Sequence, residues 1–173
     1  MNLMRNLRFP VMTLLIVALS ACGFALRGSA ELPSSLSSVA IEAVDLDSLL
    51  VADLQRELSA SGAKLVPLNS AGASTLKIQS ETAERNVISL DQRAKVGEYE
   101  LNYRVVYAVD AADGKPLLRD TPIELSRVYS FDETQAIGAS QEEEIIRTEL
   151  RRDAVRTILD RLTRMQEPGG ALE

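Results

Sequence analysis

The sequence predicts an α+β fold, a two-layer sandwich in which two helices pack on one face of an antiparallel or mixed sheet of about four strands. Two segments carry apolar residues at the three- and four-residue spacing of an amphipathic helix. Several other segments alternate apolar and polar residues, as half-buried strands do. Both kinds of element in one chain of 173 residues are typical of a sheet covered by helices on one side and polar on the other.

The strongest strand signal spans residues 98–109, where every second residue is aromatic or aliphatic and the residues between them begin with two glutamates. The dipeptide Asp113-Gly114 is typical of a tight turn, and alternation resumes over residues 123–131. The two segments therefore predict a β-hairpin. Pro122 has no backbone N–H to donate, so it places the start of the returning strand at an edge or a bulge.

The remaining extended segments are shorter. Partial alternation predicts strands over residues 38–44 and 76–81, and whether the second continues through residues 84–90 is left open. A short strand or extended piece is predicted over residues 64–68, where Pro67 interrupts the pattern.

The first helix is predicted where leucines recur at every fourth residue from Leu46 to Leu58, with charged residues on the opposite side. Either Asp45 or Asp47 can cap its start, because a side-chain carboxylate can accept a hydrogen bond from a free N–H of the first turn. Gly62 follows the last apolar position and can end the helix.

The second helix, about 25 residues long, is predicted to lie across the apolar face of the sheet. Ser140 with Glu143 matches a capping box, in which each side chain hydrogen bonds near the first turn. Acidic residues near the start and arginines near the end suit the helix dipole. The predicted apolar stripe consists of Ile145, Ile146, Leu150, Ala154, Val155, Ile158, Leu159 and Leu162.

Residues 1–21 predict a secretion signal, because Arg5 and Arg8 precede an apolar run well short of the roughly 20 residues that a membrane-spanning helix needs. The run ends in Leu19-Ser20-Ala21-Cys22, the pattern of a lipobox. Cys22 is the only cysteine, so lipidation would account for a single thiol in a secreted chain. An ordinary signal peptide followed by a chance cysteine is the alternative interpretation.

The predicted organisation after cleavage is a lipidated connector over residues 22–37, one α+β domain over 38–166 and a flexible tail over 167–173. The connector can span at most roughly 53 Å when fully extended, which keeps the folded body close to the membrane. Gly23 follows Cys22, rather than the aspartate often found in lipoproteins retained at the inner membrane. We therefore expect attachment to the outer membrane of a diderm cell, facing the periplasm.

Composition and motifs argue against several functions. Without Arg5 and Arg8 the chain carries 17 basic and 25 acidic residues, a net charge of −8 that does not suit nucleic-acid binding. It contains no histidine, no phosphate-binding glycine loop and no nucleophile elbow. The acidic residues occur where helix starts, exposed strand faces and turns already account for them. We therefore expect no catalytic residue, no metal site and no cofactor.

Three cations, Arg85, Arg93 and Lys95, lie close together in this mostly acidic sequence, in what is predicted to be a loop at one end of two long strands. One interpretation is a solvated hairpin loop with ordinary surface charges. The other is a site for phosphate-bearing ligands, since arginine offers forked donors and lysine a point charge. Loops at the end of a rigid sheet often carry binding functions.

Four short segments occur in order along the mature chain: CGFALRG from Cys22, SLD from Ser89, EYEL from Glu98 and RVYSF from Arg127, the last before an acidic helix start. Together they resemble the LptE family of LPS-assembly lipoproteins, and their order and spacing match along nearly the whole mature chain. Ala25 stands where relatives often have histidine, and the extended polar tail of some relatives is absent.

The resemblance implies helices packed against a four-stranded sheet, and a protein that plugs an LptD-like outer-membrane β-barrel in a 1:1 complex and helps it assemble. It also implies that the protein binds lipopolysaccharide and delivers it to the cell surface. Arg85, Arg93 and Lys95 then become candidates for lipopolysaccharide binding, and acylated Cys22 the attachment to outer-membrane lipid. Two alternatives remain: an accessory lipoprotein subunit of another envelope lipid-transport complex, and a carboxylate-based envelope hydrolase.

Overall fold

The structure, a computed structural model, describes residues 32–132 and 136–165. These residues form an α+β sandwich with one mixed sheet and two helices on the same side of it. In chain order the elements are β1 (Ser38–Ala43), α1 (Leu49–Ala60), β2 (Lys64–Leu65), β3 (Ser74–Leu90), β4 (Val96–Asp110), β5 (Pro116–Ser130) and α2 (Ala136–Thr163), preceded by a single 3-10 turn (Ser34–Leu36).

The sheet has five strands in the order β2-β1-β3-β4-β5, so the expected count of about four was one too low. The additional strand is β2, which pairs in parallel with β1 over only two residues. It lies within the segment predicted as a short strand or extended piece, and Pro67 follows it closely. β1 also runs parallel to β3, whereas β3, β4 and β5 are antiparallel neighbours.

The long hairpin β4–β5 agrees with the prediction. Alternate residues of β4 are buried against the helices, namely Leu101, Tyr103, Val105, Tyr107 and Val109. Gly114 takes the left-handed φ of +80° that the tight turn requires, and its N–H donates to the carbonyl of Ala111 at 2.8 Å. Pro122 lies in β5, which is an edge strand, as the sequence indicated.

β3 continues without interruption to Leu90, which answers the open question about residues 84–90. β4 accompanies it along this whole length, but β1 pairs only with Ser74–Ile78. A register shift, a β-bulge, separates Ile78 from Ser80. Beyond this bulge, no described residue pairs with the side of β3 that faces away from β4.

Helix α1 begins at Leu49, and its N-cap is Ser48, whose hydroxyl accepts a hydrogen bond from the N–H of Val51 at 3.2 Å. The prediction of Asp45 or Asp47 as the cap was wrong, because the chain is not yet helical there. Leu46 accordingly lies outside the helix and is 58% exposed. The prediction for the end of the helix is confirmed, since Gly62 adopts a left-handed φ of +89° just after it.

Helix α2 begins at Ala136, about one turn earlier than predicted, so Ser140 lies inside the helix and the proposed capping box with Glu143 was wrong. The stripe from Leu150 onward is confirmed: Leu150, Ala154, Val155, Ile158 and Leu162 are buried. Ile145 was wrongly assigned to the stripe and is 60% exposed. Neither described helix is long and apolar enough to cross a membrane.

The core lies between the two helices and the sheet, and it reaches back to Leu36, within the segment predicted to be the connector. An ion pair joins the helices, with Arg151 Nε donating to Asp53 Oδ2 at 2.8 Å. Both side chains are largely buried, so each needs the other to avoid an unpaired charge in the interior. This pair therefore links α1 to α2.

Candidate functional site

The turn at residues 91–95, here called the distal turn, joins β3 to β4 and is organised by one carboxylate. Asp91 Oδ1 accepts from the backbone N–H groups of Arg93 (2.8 Å) and Lys95 (3.0 Å). Its Oδ2 accepts from Arg93 Nε at 3.0 Å and Nη2 at 2.9 Å. The backbone hydrogen bond from Lys95 is the main reason that the pKa of Asp91 lies below its usual value. The turn is therefore held in one shape by Asp91.

Arg93 and Lys95 lie on the distal turn as predicted, but the expectation that Arg85 shares this loop was wrong. Arg85 lies within β3 opposite Leu101, roughly 17 Å along the sheet from the turn. The sequence analysis placed all three cations in one loop, because the pattern did not decide whether the strand continues through residues 84–90. The structure brings two of the three cations together and places the third on the helix side of the sheet.

Arg85 belongs to a group of side chains that joins β3, β5 and α2, here called the Glu143 cluster. Glu143 Oε2 accepts from Arg85 Nη1 at 2.9 Å and from the Tyr129 hydroxyl at 2.7 Å. Glu143 Oε1 accepts from Arg147 Nη2 at 2.6 Å and Nε at 3.1 Å. Burial disfavours the charged carboxylate, but these hydrogen bonds outweigh it and lower the pKa of Glu143 to about 2.

Aromatic rings extend the Glu143 cluster toward the distal turn. The guanidinium of Arg85 lies 4.4 Å from the ring centre of Tyr99, a cation–π contact. The Tyr99 ring lies 5.2 Å from Phe131 in an edge-on arrangement and 5.8 Å from Tyr129. Burial, together with the hydrogen bond to Glu143, raises the pKa of Tyr129 to about 12. These contacts fix the first turns of α2 on the distal half of the sheet.

Sequence reasoning did not identify the Glu143 cluster. Glu143 was taken as a helix cap, and Arg85 was taken as a loop cation, although the two residues form an ion pair. One signal was present, since Glu143 and Arg147 have the four-residue spacing of a helical ion pair. Nothing in the sequence alone could connect Glu143 to Arg85 or Tyr129.

Several large aliphatic side chains are exposed around the end of the hairpin that carries the distal turn. Val87, Ile88 and Leu90 lie in the last residues of β3, and Leu90 is 61% exposed. Val128 is also exposed, near the end of β5. This end of the domain therefore presents apolar side chains next to the cations of the distal turn.

Surface cavities also lie elsewhere on the described part of the chain. One of about 370 Å³, between α1 and α2, is lined by Asp53, Arg56, Arg152, Val155 and Leu159 among others, and its charges partly pair with each other. Another of about 540 Å³ lies on the polar face of the sheet. In the part of the chain that the structure describes, no group of three or more histidine, cysteine, aspartate or glutamate side chains could hold a metal ion.

Cys22, the predicted lipidation site, lies outside the described residues.

The described residues form a helix-backed sheet whose distal end presents a polar turn and apolar strand ends. The chain belongs to the LptE family: the family model described as "LptE: Lipopolysaccharide-assembly" matches residues 35–162. This confirms the resemblance derived from the four sequence segments. The match covers both helices almost completely and the whole sheet.

Curated relatives and solved structures agree with this assignment. The chain is 25% identical to LPS-assembly lipoprotein LptE of Photorhabdus laumondii over 160 residues, covering 90% of this chain and 87% of the relative. It is 25% identical to LPS-assembly lipoprotein LptE of Pectobacterium atrosepticum over 163 residues, covering 92% and 86%. Relatives with these names make the family one of envelope lipoproteins of lipopolysaccharide assembly.

Among solved structures, lipoprotein B of Nitrosomonas europaea is similar, with a TM-score of 0.66 and 32% identity over 79% of this chain and 88% of that one. The rare lipoprotein B of Shewanella oneidensis gives a TM-score of 0.64 and 27% identity over 71% and 91%. The fold described above is therefore also the fold of solved lipoproteins.

Proposed function

We propose that this protein is an outer-membrane lipoprotein that binds lipopolysaccharide, plugs an LptD-like β-barrel in a 1:1 complex and helps that barrel assemble. In this role it takes part in delivering lipopolysaccharide to the cell surface. The observation that carries the proposal is the family match over residues 35–162, which spans nearly all of the described fold. The names of the curated relatives support the same role.

The proposed attachment is through Cys22, acylated after removal of residues 1–21, at the periplasmic face of the outer membrane. The basis is the lipobox at residues 19–22, together with Gly23 rather than aspartate after the cysteine. Two or three acyl chains on one residue hold a protein at a bilayer stably, since each buried CH₂ contributes about 0.8 kcal/mol. Residues 22–31 of the predicted connector and the predicted tail from residue 167 lie outside the described residues.

The distal end is the proposed contact for lipopolysaccharide. Arg93 uses Nε and one hydrogen of Nη2 to hold Asp91, so its other donors can bind a phosphate or acidic sugar without loss of that ion pair. Lys95 lies on the same turn, and the exposed Leu90 and Ile88 offer contact for acyl chains. Arg85 is half-exposed and lies farther along the strand, where it can meet a second anionic group.

The charge of the protein makes such a local site necessary. At −8 the mature chain repels a polyanion, and the distal turn itself combines Arg93 and Lys95 with Asp91. Binding must therefore come from donors presented at close range rather than from a long-range field. We propose that the protein acts by binding alone, without catalysis, metal or cofactor.

Purification of the lipidated protein from membranes in mild detergent tests the partner. A heat-modifiable β-barrel recovered in about equal amount supports the plug. A soluble or inner-membrane partner would instead support an accessory subunit of another lipid-transport complex. Glycan hydrolysis by the protein alone would favour the envelope hydrolase.

A double charge reversal, Arg93→Asp with Lys95→Asp, tests the distal turn. It should weaken lipopolysaccharide binding at least about tenfold, equivalent to ~1.4 kcal/mol, and reduce the salt dependence of binding. The matched control is Lys115→Asp with Arg119→Asp, the same change of charge around the β4–β5 turn at the opposite end of the sheet. Parental affinity in the folded distal variant, or an equal loss in the control, would remove the distal turn from the proposal.

A further inference from the structure

Beyond Ile78, one side of the β3 backbone faces no other strand among the residues that the structure describes. Phe131 N–H donates to the carbonyl of Gly97, so odd-numbered residues of β4 direct their backbone groups toward β5 and even-numbered residues toward β3. In the register of β3 with β4, Glu84 lies opposite Asn102 and therefore bonds to β4. Four residues of β3 then direct N–H and C=O away from β4: Glu81, Ala83, Arg85 and Val87.

This open edge, residues 81–87, is about 23 Å long at the usual rise of a strand. β1 occupies the neighbouring position only up to Ile78, and no described residue pairs with β3 beyond it. The other long edge of the sheet, β5, carries Pro116 and Pro122, which remove donors and discourage pairing. The open edge of β3 has no proline and leads directly into the exposed Ile88 and Leu90.

A second copy of this chain fits the open edge poorly. In an antiparallel pair, the distal turn of one copy must stay clear of the end of β1 in the other. Only registers with their midpoint near Asn86 satisfy this and still pair most of the open edge. In such a register, Ile88 of one copy lies opposite Glu84 of the other. The aliphatic end of each strand would then face the charged middle of its neighbour, which is an unfavourable cross-strand pairing.

We propose that the open edge receives an extended segment of the β-barrel partner as an additional strand of the sheet; this inference rests on the proposed function. Unpaired N–H and C=O groups that repeat along a strand are recognised by another extended backbone, rather than by a lipid or a sugar. The strands of a closed barrel already pair with each other, so the segment comes from a loop or a terminus.

The side chains of the open edge define the segment that fits it. The carboxylate of Glu84 is exposed and makes no hydrogen bond or ion pair with the residues that the structure describes, so a lysine or arginine of the segment lies beside it. Val87 and Ile88 pair with apolar side chains at the other end of the segment.

Amide hydrogen exchange at single-residue resolution tests the inference, with the lipidated full chain alone and in its complex with the co-purified barrel. In the free protein, the amides of Glu81, Ala83, Arg85 and Val87 exchange rapidly, whereas those of Thr82, Glu84 and Asn86 are protected by β4. In the complex, the four odd-numbered amides slow at least about tenfold and the even-numbered ones change little. This alternation is the signature of an added strand, because burial by a side-chain contact would not select one parity.

A pair of variants at one position provides the second test. Ala83→Pro removes an outward N–H without removing a hydrogen bond to β4, and should lower recovery of the complex by at least about fivefold. Ala83→Val keeps the N–H, suits a strand and should leave recovery unchanged. If Ala83→Pro fails to fold, the exchange experiment decides alone.

Four results would overturn the inference in distinguishable ways. If the complex forms but the odd-numbered amides exchange as in the free protein, the strand is absent while the proposed function stands. Protection of these amides in the isolated monomer means that a segment of this chain covers the edge. Protection in a concentration-dependent dimer means that a second copy does. If no barrel is recovered at all, the proposed function fails first.

Discussion

Replacing Glu143 by glutamine removes one negative charge from the centre of the Glu143 cluster while keeping the size of the side chain. The carboxylate is only 15% exposed and accepts four hydrogen bonds from three residues. Its pKa falls from the usual 4.5 to about 2, so the folded protein favours the charged form by about 3 kcal/mol. Because Arg85 and Arg147 remain partly exposed to water, we expect Glu143→Gln to lower the free energy of unfolding by about 2 kcal/mol.

The pH dependence of this loss has a definite sign. A depressed pKa contributes stability that is fully present above pH 4.5 and disappears as the pH falls toward 2. The difference in free energy of unfolding between parent and Glu143→Gln should therefore be largest near pH 7 and smaller by about 1.4 kcal/mol at pH 3.5.

Urea unfolding of both proteins at several pH values measures this difference directly. Glu144→Gln is the matched control, because Glu144 is the next residue, is exposed and makes no ion pair among the described residues. It should change the free energy of unfolding by less than about 0.5 kcal/mol. Equal stability of Glu143→Gln and parent at pH 7, or a difference that does not shrink in acid, would refute the role assigned to the cluster.

Three further predictions concern the core, a helix cap and the anchor. Leu150→Ala should lower the free energy of unfolding by about 2 to 5 kcal/mol, whereas Ile145→Ala, on the exposed side of the same helix, should change it little. If thermal unfolding shows equal losses for the two variants, the core has been assigned to the wrong residues. Ser48→Ala should lower the free energy of unfolding by about 1 kcal/mol through loss of the hydrogen bond from Val51. If calorimetry shows a loss near zero, Ser48 does not stabilise the helix as its N-cap. Cys22→Ser should abolish incorporation of radioactive fatty acid, since serine cannot form the thioether, and unchanged labelling would disprove the anchor.

The sequence predicts this fold well where one physical rule decides the structure. Strict alternation over β4 identifies the buried side of a strand, because successive side chains point to opposite faces. Gly114 and Gly62 are found at their turns, because few other residues adopt a positive φ easily. Pro122 indicates an edge strand, because it has no backbone N–H to donate to a neighbouring strand.

The parts that the sequence does not predict depend on contacts between distant residues. β2 is a strand only because β1 lies beside it, and two residues carry no period of their own. Glu143 satisfies a local capping rule, yet its carboxylate is engaged by Arg85 and Tyr129 from two strands of the sheet. Arg85 changes from a loop cation to a member of that cluster once β3 is known to continue beyond it.

Delivery of newly made lipopolysaccharide to the cell surface is the most direct test of the proposed function. Cells depleted of this protein would be pulse-labelled in lipopolysaccharide, and the labelled fraction accessible at the surface would be followed over time. We predict that the label stays in the inner membrane and periplasm, and that the parental protein restores delivery when it is expressed again. Surface delivery at the parental rate in fully depleted cells would contradict a role in lipopolysaccharide assembly.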